Sequence, residues 1–143
     1  MAANLEAIHR ALADQLRANI SRDIDTNPFD INPPTFPAIT VLTDSPYIDY
    51  WDTFGPNGKA VMKLRLRLDV EGDPESMAIQ ICAYLSIGTG NTSSIADAVH
   101  LDKTLGGLVE QCIVLSAEFP NDSEPGVAWV PVQIILGKTL AVV

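Results

Sequence analysis

The chain is short of thiols, imidazoles, cations and aromatic rings, and each shortage closes off a class of function. Cys82 and Cys112 are its two cysteines. They lack CxxC spacing, and one falls in an expected helix, the other in an expected strand. They read as small buried apolar residues in a reducing compartment, with no disulfide framework. His9 and His100 are the two histidines. His9 is expected near the polar side of the first helix and His100 just after a short one. Neither belongs to a nucleophile or metal motif, so both read as surface or capping residues. No triad and no clustered ligand set is visible, and no catalytic residue, metal or cofactor is expected.

Nine Lys and Arg face 18 Asp and Glu, a net charge of −9. Duplex binding needs an extended basic footprint, which this chain lacks. An acidic surface favours solubility and lets DNA slide past without sticking. No apolar run reaches the roughly 18 residues of a membrane helix. No basic block followed by an apolar block marks a secretory signal. Asp49 and Asp52 flank Tyr50-Trp51 in no known cation-loop spacing. Gly88-Thr89-Gly90 ends a helix and Gly106-Gly107 precedes a strand, so neither is a phosphate cradle of the usual kind.

What is present is periodicity. The 143 residues suit one domain, 1–143, and a chain of this size buries roughly 70% of its unfolded surface without staples. Leu5, Ile8, Leu12, Leu16 and Ile20 form a helical stripe over residues 4–20, opposite Glu6, Arg10, Asp14 and Arg17. The Pro-rich stretch 25–37, with Pro28, Pro33, Pro34 and Pro37, reads as an extended connector, neither helix nor central strand. Ala38 to Leu42 is a short strand. Residues 44–58 read as a polar and aromatic loop ending in the turn signal Asn57-Gly58.

Ala60 to Val70 alternates cleanly. Met62, Leu64, Leu66, Leu68 and Val70 take one face; Lys63, Arg65, Arg67 and Asp69 take the other. Asp73 then looks like an N-cap, with Pro74 at the first helical position. This second helix is expected to reach about Ile87. Ser94 with Asp97 resembles a capping box that opens a short third helix. Leu108 to Phe119 reads as a long strand, returning after a turn at 121–126 as Val127 to Leu136. The expected fold class is α+β. A mainly antiparallel four-stranded sheet carries helices on one face, in the order α-β-β-α-α-β-β.

Three features suggest contact surfaces. In the last two strands apolar residues occupy both faces. Trp129 and Ile135 lie opposite Val130 and Ile134, and the helices can cover only one side. Either a neighbouring subunit or the 44–58 loop covers the other. Within that loop Tyr47, Ile48, Tyr50, Trp51 and Phe54 are large and apolar, as interface anchors are. They serve either an interface or packing on their own domain. Lys63, Arg65 and Arg67 line one strand face, where Glu110 and Glu118 are possible cross-strand partners. That face is either solvated and internally paired, or an electrostatic seam to a partner.

The helix Thr92-Ser93-Ser94-Ile95-Ala96-Asp97-Ala98-Val99 runs into the joint Asp102-Lys103-Thr104-Leu105-Gly106-Gly107 before a long strand. Two glycines there point to positive φ or to a close approach that no Cβ allows. This joint, with the order of the elements, resembles the tail-terminator (tail-completion) family of long-tailed, non-contractile phages. The resemblance implies a non-enzymatic virion protein at the tail–neck junction, assembled in the host cytoplasm. It implies a homo-oligomeric ring, a hexamer, on the head-proximal end of the tail tube. That ring stops tube polymerisation and offers a docking surface to the head connector. The implied partners are further copies of the chain, the major tail-tube protein, and a head-tail stopper or connector. Genomic DNA would pass through the lumen without specific binding, and no membrane is involved. Other neck and minor tail proteins share small α+β folds. A small ligand-binding or enzymatic α+β domain, its pocket converging on His100, is the alternative from a different class.

Overall fold

The computed structural model describes residues 5–20, 24–29, 36–52, 59–87, 94–121 and 123–136. Three helices and five strands follow in the order α1 (Leu5–Asn19), β1 (Asp25–Asn27), β2 (Ala38–Asp52), β3 (Lys59–Asp69), α2 (Pro74–Leu85), α3 (Ile95–His100), β4 (Gln111–Val114) and β5 (Val127–Ile135). The fold is mixed α+β. One sheet runs β1-β2-β3-β5-β4. All its pairings are antiparallel except β1 with β2. No described helix is long and apolar enough to cross a membrane.

The alternation of β3 sets the core. Met62, Leu64, Leu66 and Leu68 are fully buried, and in register with them stand Ile39 and Val41 of β2 and Ala128, Val130, Val132 and Ile134 of β5. Directly opposed residues share a face, so these side chains form one apolar surface. Ile8, Leu12 and Leu16 of α1, Ile81 and Tyr84 of α2, and Ile95, Ala98 and Val99 of α3 close over it in one cluster. Asp73 caps α2, its carboxylate accepting from Ser76 N–H at 2.7 Å, and Ser94 caps α3 through Asp97 N–H at 3.1 Å. Glu6 and Arg10 pair on the exposed side of α1 at 3.0 Å.

The sheet departs from the four-stranded expectation at three places. Asp25–Asn27, inside the expected connector, pairs with β2 as a fifth strand, and Asp25 N–H donates to Pro37 O at 3.0 Å. A strand at the sheet edge needs partners on one side only, so Pro-rich flanks do not exclude it. The expected 44–58 loop is strand as far as Asp52. Register shifts between Thr43 and Ile48, and between Asp49 and Asp52, take up the irregular stretch that contains Pro46, preceded by a cis peptide. A bulge accommodates a proline because its residues are unpaired. The expected long strand 108–119 is shortened to four residues, Gln111–Val114. Pro131 of β5 turns its carbonyl towards Leu115 N–H at 3.2 Å. Nitrogen and carbonyl of one residue point to the same side of an antiparallel strand, so the missing N–H also faces β4. The ladder lapses there and resumes only as the isolated bridge Glu118↔Trp129. Helix α2 also ends two residues early, at Leu85, with Ser86 as C-cap.

Candidate interaction surface

The sheet face turned away from the helices carries the cationic row. Across it run Leu42, Arg65 and Pro131; Thr40, Arg67 and Trp129; and Lys63 beside Gln133. Val61 stands opposite Ile135 at one end, and Asp69 opposite Val127 at the other. The β2 end of this face is closed, since Ala38 and Thr40 are fully buried. The accessible part is the β3–β5–β4 half, where Lys63, Arg65, Arg67, Ile113, Trp129, Pro131 and Ile135 are half-buried.

The two arginines are not equivalent. Arg67 donates from Nε to Asp69 Oδ2 at 2.9 Å, and its side chain is 23% exposed against 11% for Asp69. Its charge is matched within its own strand. Arg65 lies over the Trp129 ring, with Cζ 4.4 Å from the centroid. Its Nε approaches Asp44 Oδ1 at 3.9 Å, too far for a hydrogen bond, and that Nε is buried without a hydrogen-bond partner. Arg65 is therefore held by stacking, with its charge only loosely balanced. Arg65 stacks on the Trp129 ring and the Glu118 bridge pairs the Trp129 backbone, which places a large apolar ring on the accessible half-face.

The aromatic set expected in the 44–58 loop divides. Tyr47 packs on its own domain: its hydroxyl lies 2.9 Å from His9 Nε2, while His9 Nδ1 lies 2.9 Å from Pro28 O. A carbonyl only accepts, so His9 Nδ1 carries a proton and donates to Pro28 O, while Nε2 and the Tyr47 hydroxyl share the second bond. Phe29 stacks on the same imidazole, centroids 4.6 Å apart. Ile48 also packs against the core. Tyr50 and Trp51 belong to β2 by backbone; their side chains, and the whole of Phe54, lie outside the described residues.

His9, expected near the polar side of α1, is thus buried and joins α1, the exit of β1, and β2. His100 is half-buried at the end of α3. Its Nε2 accepts from Val114 N–H at 3.0 Å, and its pKa is lowered, chiefly by burial and then by Lys103, with Asp97 opposing. The surface expectation thus fails for His9, whereas His100 is half-buried and caps a strand amide. The two cysteines divide as well. Cys112 is buried, which pushes its thiol up to about 12, but Cys82 is exposed, and both are free. No group of three or more His, Cys, Asp or Glu among the described residues is arranged to hold a metal ion.

The joint after α3 does have positive φ. Leu105, Gly106 and Gly107 stand at 49°, 71° and 90°. A Cβ on either glycine would meet nothing within 4 Å, so conformation and not crowding selects glycine there. Asp102 organises the turn. One carboxylate oxygen accepts from Thr104 N–H and Thr104 O–H, at 3.1 and 2.7 Å; the other accepts from Gly106 N–H at 2.9 Å. The Thr104 hydroxyl and then these amides hold the carboxyl below its usual range. The anion that such a ring of amides attracts is already supplied by the chain itself.

Sequence reasoning missed Gly126, which is selected by space. A Cβ there would sit 2.6 Å from Val70 O and 3.1 Å from Met77 Sδ. No protein-family model matches the chain, and no curated protein matches it.

Proposed function

We propose that this chain is a structural assembly protein of the tail-terminator kind, one that forms a homo-oligomeric ring at the tail–neck junction of a virion. In this reading the ring caps the tail tube and offers its other side to the head connector. The observation that carries it is the accessible half-face of the sheet. Trp129, Ile135, Pro131 and Ile113 form an apolar strip among cations, on a chain of net charge −9. Cations gathered on one face of an otherwise acidic molecule suit contact between copies of that molecule. Both histidines are hydrogen-bonded to groups of the chain itself, which favours a binding role over proton-transfer chemistry.

Arg65→Glu is the informative variant. It reverses a loosely balanced charge and loses a cation–π contact worth about 0.5–1 kcal/mol at an exposed site. Arg67→Glu is a poor probe, because it sets a second carboxylate against the nearly buried Asp69. Mass photometry of the wild type with purified tail-tube protein should show discrete rings. Arg65→Glu should abolish them while shifting thermal melting by only a few degrees. A wild type that stays monomeric with and without tube protein would sink the ring. Association with a connector but not with the tube would reassign the chain to the neck.

A further inference from the structure

Strand β4 is one edge of the sheet, and an edge strand presents amides that invite another strand. The two amides of β4 that point away from β5 are both occupied. Cys112 N–H donates to Lys103 O at 2.6 Å, and Val114 N–H donates to His100 Nε2 at 3.0 Å. One stopper is a carbonyl, whose capacity to accept is permanent. The other is an imidazole nitrogen, which accepts only while it carries no proton. In the segments that flank β4 along the chain, Leu101, Leu108, Leu115 and Phe119 are exposed.

We propose that His100 is an acid-released latch on the β4 edge: once protonated it no longer accepts from Val114, and the edge from Val114 onward, with Cys112 still bonded to Lys103 O, pairs with the same stretch of a second copy. Protonation puts two N–H donors face to face at Val114, so that contact becomes repulsive. The groups around the ring favour its neutral form at neutral pH. Lys103 of the turn adds like charge, Asp97 of its own helix opposes, α1 brings the uncharged Gln15, and β4 brings only the Cys112 thiol. Of the remaining element packed on α3, the titratable groups of α2 are Glu75, Cys82 and Tyr84. A second copy is the suitable occupant because the chain has a pI near 4.4. The acid that opens the latch also reduces the net repulsion between copies, and the flanking leucines and Phe119 then meet their own kind across a two-fold axis.

The sign follows from the lowered pKa. The latch is fully closed above the ordinary histidine value and loses its hold as the pH falls from there to the lower value of the folded chain. The test is amide exchange of Val114 by NMR from pH 7 to 5, corrected for intrinsic rate, in the wild type and in His100→Gln, whose side chain accepts at every pH. Wild-type protection of Val114 should fall by up to about tenfold per unit of pH between the ordinary histidine value and the lower value of the folded chain, and level off below it, while the variant's should hold. At neutral pH the imidazole nitrogen shifts should show Nε2 without a proton. Sedimentation at the lower pH should give a dimer for the wild type and monomer for His100→Gln. Leu115→Lys, which sets a charge beside the edge, should also stay monomeric. A proton on Nε2 at pH 7, equal loss of Val114 protection in the two proteins, or an acid dimer that persists in Leu115→Lys would overturn the proposal.

Discussion

Gly106 and Gly126 are both irreplaceable on paper, for opposite reasons, and substitution separates those reasons. At Gly106 the surroundings are open and φ is 71°, so the cost of a side chain is purely conformational. An L residue pays about 1–2 kcal/mol in the left-handed region, and valine sits at the upper end because its branched Cβ crowds the backbone. Asparagine tolerates this region and should recover most of the loss. At Gly126 no left-handed φ is involved. A Cβ would meet Val70 O at 2.6 Å, and that backbone cannot retreat, because Val70 N–H donates to Gly126 O at 2.9 Å. Overpacking of this kind costs about 1–3 kcal/mol, and asparagine fares no better than alanine. For a chain of this length each kcal/mol lowers the melting temperature by about 2–4 °C. Urea unfolding of Gly106→Val, Gly106→Asn, Gly126→Ala and Gly126→Asn therefore gives four values with a fixed pattern. Gly106→Asn as unstable as Gly106→Val would refute the conformational account. Full stability of Gly126→Ala would refute the close approach.

Two further outcomes are expected. Native protein treated with a thiol reagent at pH 8 should be labelled at Cys82 alone, and Cys112 should react only after denaturant is added, as mass spectrometry of the peptides will show. Tyr47→Phe should cost about 1 kcal/mol through the lost bond to His9, and urea titration that detects no change would show that Tyr47 O–H is not a structural donor.

The parts of this fold that were legible in the sequence are those that repeat or cap. The alternation of Met62 to Val70, the return strand Val127 to Leu136, and the caps Asp73 and Ser94 all depend on neighbours within a few positions. What escaped depends on distant ones. The polarity of His9 places it outside α1 by any local rule, yet Tyr47 and Pro28 satisfy both its nitrogens and let it be buried. Pro131 ends β4 from across a hairpin, so no reading of residues 108–119 alone finds the break. Edge strand β1 is three residues long, too short for period two to register. Of the expected surface, the face bearing Lys63, Arg65, Arg67, Trp129 and Ile135 is indeed one face, whereas Tyr47 belongs to the interior. The separate fates of Arg65 and Arg67 turn on Asp69 and on the Trp129 ring, which spacing along one strand does not reveal.

The position of β3 in the sheet matters on the ribosome. Its one neighbour, β2, precedes it in the chain, but the other, β5, is made more than fifty residues later. While that stretch is being synthesised, β3 has one long row of backbone amides open and the apolar face of Leu64, Leu66 and Leu68 only partly roofed. A half-sheet of this kind is the species that chaperones bind and that aggregates when synthesis stalls. Fragments ending before Val127 would remain in that state permanently. The final hairpin strand, in which Pro131 spares the β3 ladder and breaks only the β4 one, is what turns a sticky nascent intermediate into a closed protein.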